Sequence, residues 1–384
     1  MPRARAAIAP ARPASVAAVI ALALAGCGGG GGTGPSGPTV SAGAGCELTY
    51  ALTASPALSG ADPLLGRQWH LRNTGQGGGT PGEDLRAFEA WAATRGAGVR
   101  VAVVDDAVEV VHADLFPNLV ADASFSYRAG NRGSVWPLPC TAANDRDGSP
   151  IDGHGTAVAG LVLGRDDNAV GVSGVAPRAS LVAFDALASG QDLDIADALL
   201  RDNPVNAIYQ NSWGSPDDGS LHRAPQSFRQ AVSSGVAAGR DGNGACQSDD
   251  SNFDGFVNGP GVIAVCAVDD TGRRPFYGEP GANVLLCAPS SGDAPNVTTT
   301  TIRGAWRDDF SGTSASTPMV SGVVALMLSA NPGLSWRDGR LILAQTARRN
   351  DPTDPGWIPS VDGLAHNHKY GFGVVDAAAA VARA

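Results

Sequence analysis

The sequence predicts an α/β domain, a doubly wound and mostly parallel sheet flanked by helices, and three observations carry that prediction. Apolar, β-rich runs recur at 99–104, 181–184, 205–209 and 262–268, each apolar on both faces as a buried parallel strand requires. Helical stretches at 156–163, 195–201, 227–234 and 316–329 alternate with them. From residue 61 to 384 there is neither a second low-complexity linker nor an internal repeat, which makes that span one domain. In sheets of this kind the functional residues gather where loops leave the carboxyl ends of the strands.

Composition narrows the class. With 43% hydrophobic and 17% charged residues the chain can bury a sizeable core, while 51 glycines and 26 prolines point to tight turns and long loops rather than to a helical bundle. A net charge of -10 excludes the basic stripe of a nucleic-acid binder and favours cationic partners or bound metal ions.

The amino terminus reads as an export signal over residues 1–26: Arg3, Arg5 and Arg12 precede an apolar run from Ala14 to Ala25, too short to span a membrane. Leu24-Ala25-Gly26-Cys27 resembles the lipobox of bacterial lipoproteins, which implies a lipid on Cys27 and attachment to a membrane of the cell envelope; an ordinary cleaved signal is the alternative. Residues 27–60, rich in Gly, Ser and Pro, are expected to form a flexible tether. In an oxidising compartment Cys46, Cys140, Cys246, Cys266 and Cys287 can form bridges, but they are odd in number and their spacing leaves the pairing open. No CxxC or His/Cys cluster marks a zinc site.

Three segments carry chemistry. Val101-Ala102-Val103-Val104-Asp105-Asp106 is a buried strand ending in two acids, and a charge there costs several kcal/mol unless it finds a partner. In Asp152-Gly153-His154-Gly155-Thr156 a histidine between glycines opens a helix of small residues, which lets backbone, base and substrate approach closely. In Ser311-Gly312-Thr313-Ser314-Ala315-Ser316-Thr317-Pro318 a serine precedes an apolar helix, with the proline expected in the first turn and the serine at the positive end of the dipole. Each segment alone also fits a helix cap or a structural histidine. Their order and combination do not.

In the order Asp, His, Ser these segments resemble the motifs of the subtilisin-like serine proteases. The resemblance implies a subtilisin-like fold and an endopeptidase in which Ser314 attacks the scissile carbonyl, His154 takes and returns the proton, and Asp105 orients the imidazole. It narrows to the kexin and furin branch on Asp62-Pro63, Gln68-Trp69-His70-Leu71, the run from Asn211 to Gly219, the run from Asp249 to Phe256, Tyr277-Gly278-Glu279, and Leu334-Ser335-Trp336-Arg337-Asp338. That branch implies a substrate cleft at Ser212, Trp213 and Gly214, with Asp217 and Asp254 lining the primary specificity pocket and Asp106 touching the next substrate residue. A basic residue before the cut would then be preferred, because a buried arginine needs carboxylates to offset its desolvation. The same resemblance implies structural calcium at two places, one held by Asp217, Asp249 and Glu279, the other by Asp84, Asp114, Asn168 and main-chain carbonyls near Val170.

Three departures qualify the resemblance. Where the family carries an asparagine that donates to the oxyanion, Val236-Ala237-Ala238-Gly239 is followed by Arg240, so either Arg240 or Asn243 must serve. The alternative function is accordingly a catalytically weak or silent lipoprotein that holds basic peptides. The residues between Cys27 and Asp62 are also too few for an inhibitory folding prodomain, and no β domain follows Ala384, so the domain is expected to fold without either.

Overall fold

The computed structural model describes residues 39–51, 59–141, 152–203, 205–215, 220–234, 250–291, 296–361 and 363–384. The chain runs through β1 (Thr39–Ser41), β2 (Thr49–Ala51), α1 (Ala87–Ala90), β3 (Arg100–Val104), α2 (His154–Leu163), β4 (Ser180–Phe184), α3 (Asp192–Leu200), β5 (Ile208–Gln210) and α4 (Gln226–Ser234). It continues through β6 (Ala264–Val268), β7 (Val284–Pro289), β8 (Val297–Thr301), β9 (Ala305–Phe310), α5 (Thr313–Ala330), α6 (Trp336–Thr346), β10 (Ile358–Pro359), β11 (Ala365–His366) and α7 (Ala377–Arg383).

Two blocks of parallel strands form the centre. One has the order β4-β3-β5, with Val101 opposite Leu181 on one side and Ile208 on the other; the second pairs β6 with β7. Every residue of β3 beyond Arg100 is buried, and the strand's period of two divides them between two cores. Val101 and Val103 pack with Ala157, Leu161, Met319 and Val323 of α2 and α5. Ala102 and Val104 pack with Ile195, Leu199, Phe228 and Ala231 of α3 and α4. This is the doubly wound arrangement expected, and it explains why the strands read as continuous apolar runs. Helix α5 is apolar all round because it is a core helix, buried along most of its length.

The details depart from expectation at four places. The strand expected at 205–209 begins only at Ile208, since Val205 is 59% exposed. Helix α5 begins at Thr313, so Pro318 is an interior residue rather than part of the first turn. The β8–β9 hairpin carries no apolar run because three of the four buried residues of β8 are threonines: Thr299 and Thr300 donate from Oγ1 to the carbonyls of Ala157 and Thr156 at 2.7 Å each, fastening the hairpin to α2. Finally, the tether expected over 27–60 gives way, within the described residues, to a β1–β2 hairpin. A Cys46–Cys140 disulfide holds it, and Tyr50 Oη donates to the Pro139 carbonyl at 3.2 Å. The other bridge, Cys266–Cys287, joins direct register partners of β6 and β7; the remaining Cys246, like Cys27, lies outside the described residues.

Candidate active site

Asp105 follows the last residue of β3 and is 1% exposed, with its Oδ1 accepting the Asp106 N–H at 2.8 Å. His154 is the first residue of α2, and its Nδ1 lies 2.9 Å from the same Oδ1. Close approach makes this possible: at Gly155 any Cβ would collide with the Ala107 carbonyl and with Asp105. The imidazole is one-third exposed, and Phe310 at the end of β9 packs against it with ring centroids 5.6 Å apart. The ring is thus held by the buried acid at Nδ1 and keeps part of its surface exposed.

Ser314 is the second residue of α5, four beyond Phe310. The turn before it needs Gly312, whose φ of 77° lies in the left-handed region. The Gly312 carbonyl accepts from Ser290 Oγ at 2.6 Å at the end of β7, and Tyr277 Oη donates to that Ser290 oxygen at 2.9 Å. Pro318 has no N–H to give the Ser314 carbonyl four residues back; Ser212 Oγ donates to it instead at 3.4 Å, and Ser314 Oγ donates to the Ser212 carbonyl at 3.4 Å. Ser212 Oγ in turn accepts from Gln210 Nε2 at 2.8 Å, and Ser321 Oγ donates to Gln210 Oε1. A polar chain, buried at Gln210, Ser212 and Ser321, therefore ties the turn at Ser314 to the end of β5. Trp213 closes the corner, donating from Nε1 to the Val104 carbonyl at 2.9 Å beside Asp105 while its ring packs on Phe256 and Phe228. Asp105 and His154 are thus in contact where β3 ends and α2 begins, and Phe310 and Trp213 connect that pair to the turn where β5 ends and Ser314 opens α5.

Residues 96–373 match the Subtilase family model. The chain belongs to the subtilase family. Protease KEX1 of Kluyveromyces lactis is 34% identical over 331 residues, covering 83% of this chain and 42% of that protein. Human neuroendocrine convertase 2 is 34% identical over 339 residues, covering 83% of this chain and 52% of the relative, so the chain spans about half the length of the curated relatives it matches. Among solved structures, the serine protease of Aeromonas sobria superposes with a TM-score of 0.74 at 26% identity, covering 91% of this chain and 71% of that one. A Pseudoalteromonas arctica protease gives 0.67 at 25%, covering 84% and 99%. The fold is the subtilisin-like one, a parallel sheet flanked by helices.

The remaining candidate residues of this subtilase are distributed as follows. Asp254, 8% exposed, accepts from Ser215 N–H at 3.1 Å, Ser215 Oγ at 3.2 Å and Phe256 N–H at 2.7 Å, so it braces the strand end that carries Ser212, Trp213 and Gly214. Asp217, Asp249, Arg240 and Asn243 lie outside the described residues. Glu279 is buried, and the first calcium set is described only through it. Asp106 is half-buried and accepts from the His154, Gly155 and Ala107 N–H groups; burial and the adjacent Asp105 carboxylate hold its own carboxyl above the usual range.

The second calcium set needs a correction. Asp84 is not beside Asn168: its carboxylate accepts the N–H groups of Asn73 and Arg86, at 2.6 and 2.7 Å. The residue that meets the Asn168 loop is Asp62, which accepts from Asn168 N–H at 3.2 Å, Asp167 N–H at 3.3 Å and Ser173 Oγ at 2.5 Å. Asp114 does form part of the group, joined to Asn168 Nδ2 at 2.9 Å, to Val172 N–H at 2.9 Å and to Trp306 Nε1 at 2.6 Å, while Asn168 Oδ1 accepts the Val170 N–H at 2.8 Å. Burial, with added repulsion from Asp62, pushes Asp114 up to about 6. Two buried carboxylates, an amide and nearby carbonyls are the hard oxygen donors calcium takes, and turning over the Asn168 amide would bring its oxygen to Asp114. Asp62-Pro63 is the sequence signal for it, one of the segments on which the resemblance to the kexin and furin branch rests.

Proposed function

We propose that this subtilase is a serine endopeptidase acting through an acyl-enzyme. The observation that carries the reading is the 2.9 Å contact between His154 Nδ1 and buried Asp105, in the corner that also holds Ser314 at the head of α5. Asp105 fixes the tautomer with the proton on Nδ1, which leaves Nε2 to take the Ser314 proton as Oγ bonds to the scissile carbonyl carbon. The imidazolium then protonates the departing amine as the C–N bond breaks, and water reverses the sequence to free the acid.

By the resemblance to the kexin and furin branch, Asp217 and Asp254 match the acids of the primary pocket and Asp106 the acid at the next residue, which supports a preference for lysine or arginine before the cut. We read the protein as exported and lipid-anchored through Cys27, which fits the two disulfides. Calcium, if bound, would rest on Asp62, Asp114, Asn168 and Val170, where its charge would relieve the repulsion between the two acids and hold the loop. A fluorophosphonate probe tests the activity: labelling that disappears in Ser314→Ala is expected, and no labelling of the wild type sinks the reading. A peptide library tests specificity, where equal rates after Leu and Arg would refute the basic preference.

A further inference from the structure

Helix α2 starts without a cap of its own: the residue before it is Gly153, which has no side chain to satisfy the first N–H groups. The acceptor comes instead from Asp106, 48 residues earlier. Its Oδ2 accepts the His154 N–H at 3.1 Å, and its Oδ1 accepts both the Gly155 N–H at 2.8 Å and the Ala107 N–H at 2.5 Å. One carboxylate therefore holds the first turn of the helix that carries the imidazole and the loop that leaves the strand carrying Asp105. The two halves of the 2.9 Å His154–Asp105 contact are tied together at their backbones by the neighbouring residue.

We infer that Asp106 is a positioning residue for His154, fixing the head of α2 against the end of β3 so that the imidazole stays in register with Asp105. This rests on the peptidase reading and goes beyond the subsite role that the resemblance implies for Asp106. A carboxylate has about four lone-pair sites, and three N–H groups already draw on this one, so a substrate cation would meet an acid that is already committed. A minor part of its surface stays exposed, and the two roles make different predictions. A subsite acid acts on substrates that bear a basic residue opposite it, and chiefly through KM. A positioning acid acts on every substrate alike, through kcat, because the imidazole is displaced whatever is bound.

The test compares wild type with Asp106→Asn, whose amide must turn an NH2 group toward one of the N–H donors. Two readouts are taken below the melting transition of both proteins: the rate of Ser314 labelling by a small fluorophosphonate, which has no residue at the subsite, and kcat and KM on two peptides with Arg or Ala at the second position before the cut. The expected result is a loss of about 10- to 100-fold in labelling and in kcat on both peptides, with KM within about threefold. Asp106→Ser, which keeps an acceptor oxygen, should recover part of the rate. Labelling at the wild-type rate, or a loss confined to KM on the Arg peptide, overturns the positioning role and leaves the peptidase reading intact. An equal loss of melting temperature in both variants with no recovery in Asp106→Ser marks a purely structural cap and overturns it too. A wild type that does not label removes the peptidase reading itself, and the inference with it.

Discussion

Replacing Gly155 by alanine should disable the site while leaving the fold standing. The new Cβ would lie 2.7 Å from Asp105 Cβ and 3.2 Å from its Cγ, and nearer still to the Ala107 carbonyl, which is main chain and cannot swing aside. Ordinary carbon contacts begin near about 3.5 Å, so helix and strand must part by about 0.8 Å. Taken up between Asp105 and His154, that lengthens the 2.9 Å contact to about 3.7 Å, beyond a hydrogen bond. Crowding of this kind costs about 1–3 kcal/mol, against less than about 1 kcal/mol gained from replacing a helical glycine. A large, cooperative domain tolerates that, but an acid that no longer orients its base does not: kcat/KM should fall by about 100-fold or more. Peptide hydrolysis and thermal melting would be measured beside Gly339→Ala in α6, where a Cβ meets nothing within 4 Å and no effect on activity is expected. A Gly155→Ala protein with kcat/KM within about threefold of wild type and an unchanged Tm would refute the close-approach argument.

Three further outcomes are expected. Cys46→Ser should cost about 2–4 kcal/mol and also lower activity, because Cys140 N–H holds Asp152 Oδ2 at 3.0 Å just ahead of His154; loss of stability without any change in kcat would separate the bridge from the site. If the Asn168 loop binds calcium, saturating ion at about 100 times Kd should add about 2.7 kcal/mol, and Asp62→Asn should abolish that gain while Asp84→Asn keeps it; the reverse pattern would restore the original assignment. Buried Glu109 holds the turn of the β8–β9 hairpin through the N–H groups of Arg303 and Gly304, and burial pushes it up to about 7. Because its folded value exceeds the unfolded one, the stability it contributes is full below about pH 4.5 and is lost as pH rises through about 7, roughly 3 kcal/mol in all. His70, held down to about 3 by burial, pulls the opposite way on acidification, so the readout is the difference in melting between wild type and Glu109→Gln from pH 4.5 to 8. A difference that does not vary with pH would exclude Glu109 as the titrating group.

The sequence by itself determined the fold class and the family, and it singled out Asp105, His154 and Ser314 as the candidate reacting residues. Runs such as Val101–Val104 declare buried strands because burial on two faces demands apolar side chains at every position, and Gly153-His154-Gly155 and Ser314 carry their meaning in their immediate neighbours. What only the tertiary structure decided concerns groups that are distant in the chain and equivalent in type. Asp62 and Asp84 are both acids near the start of the domain, and only the folded loop at Asn168 distinguishes them. Cys46 meets Cys140 across 94 residues, and Cys266 meets Cys287 because β6 and β7 happen to be in register there. Asp106, to which the family resemblance assigns a substrate contact, accepts the first N–H groups of α2 only because the fold lays that helix against it. A local pattern records what a residue must be to sit in a strand, a turn or a helix head; which donor a carboxylate finally receives depends on how those elements pack, and packing brings together residues whose sequence separation carries no trace of the encounter.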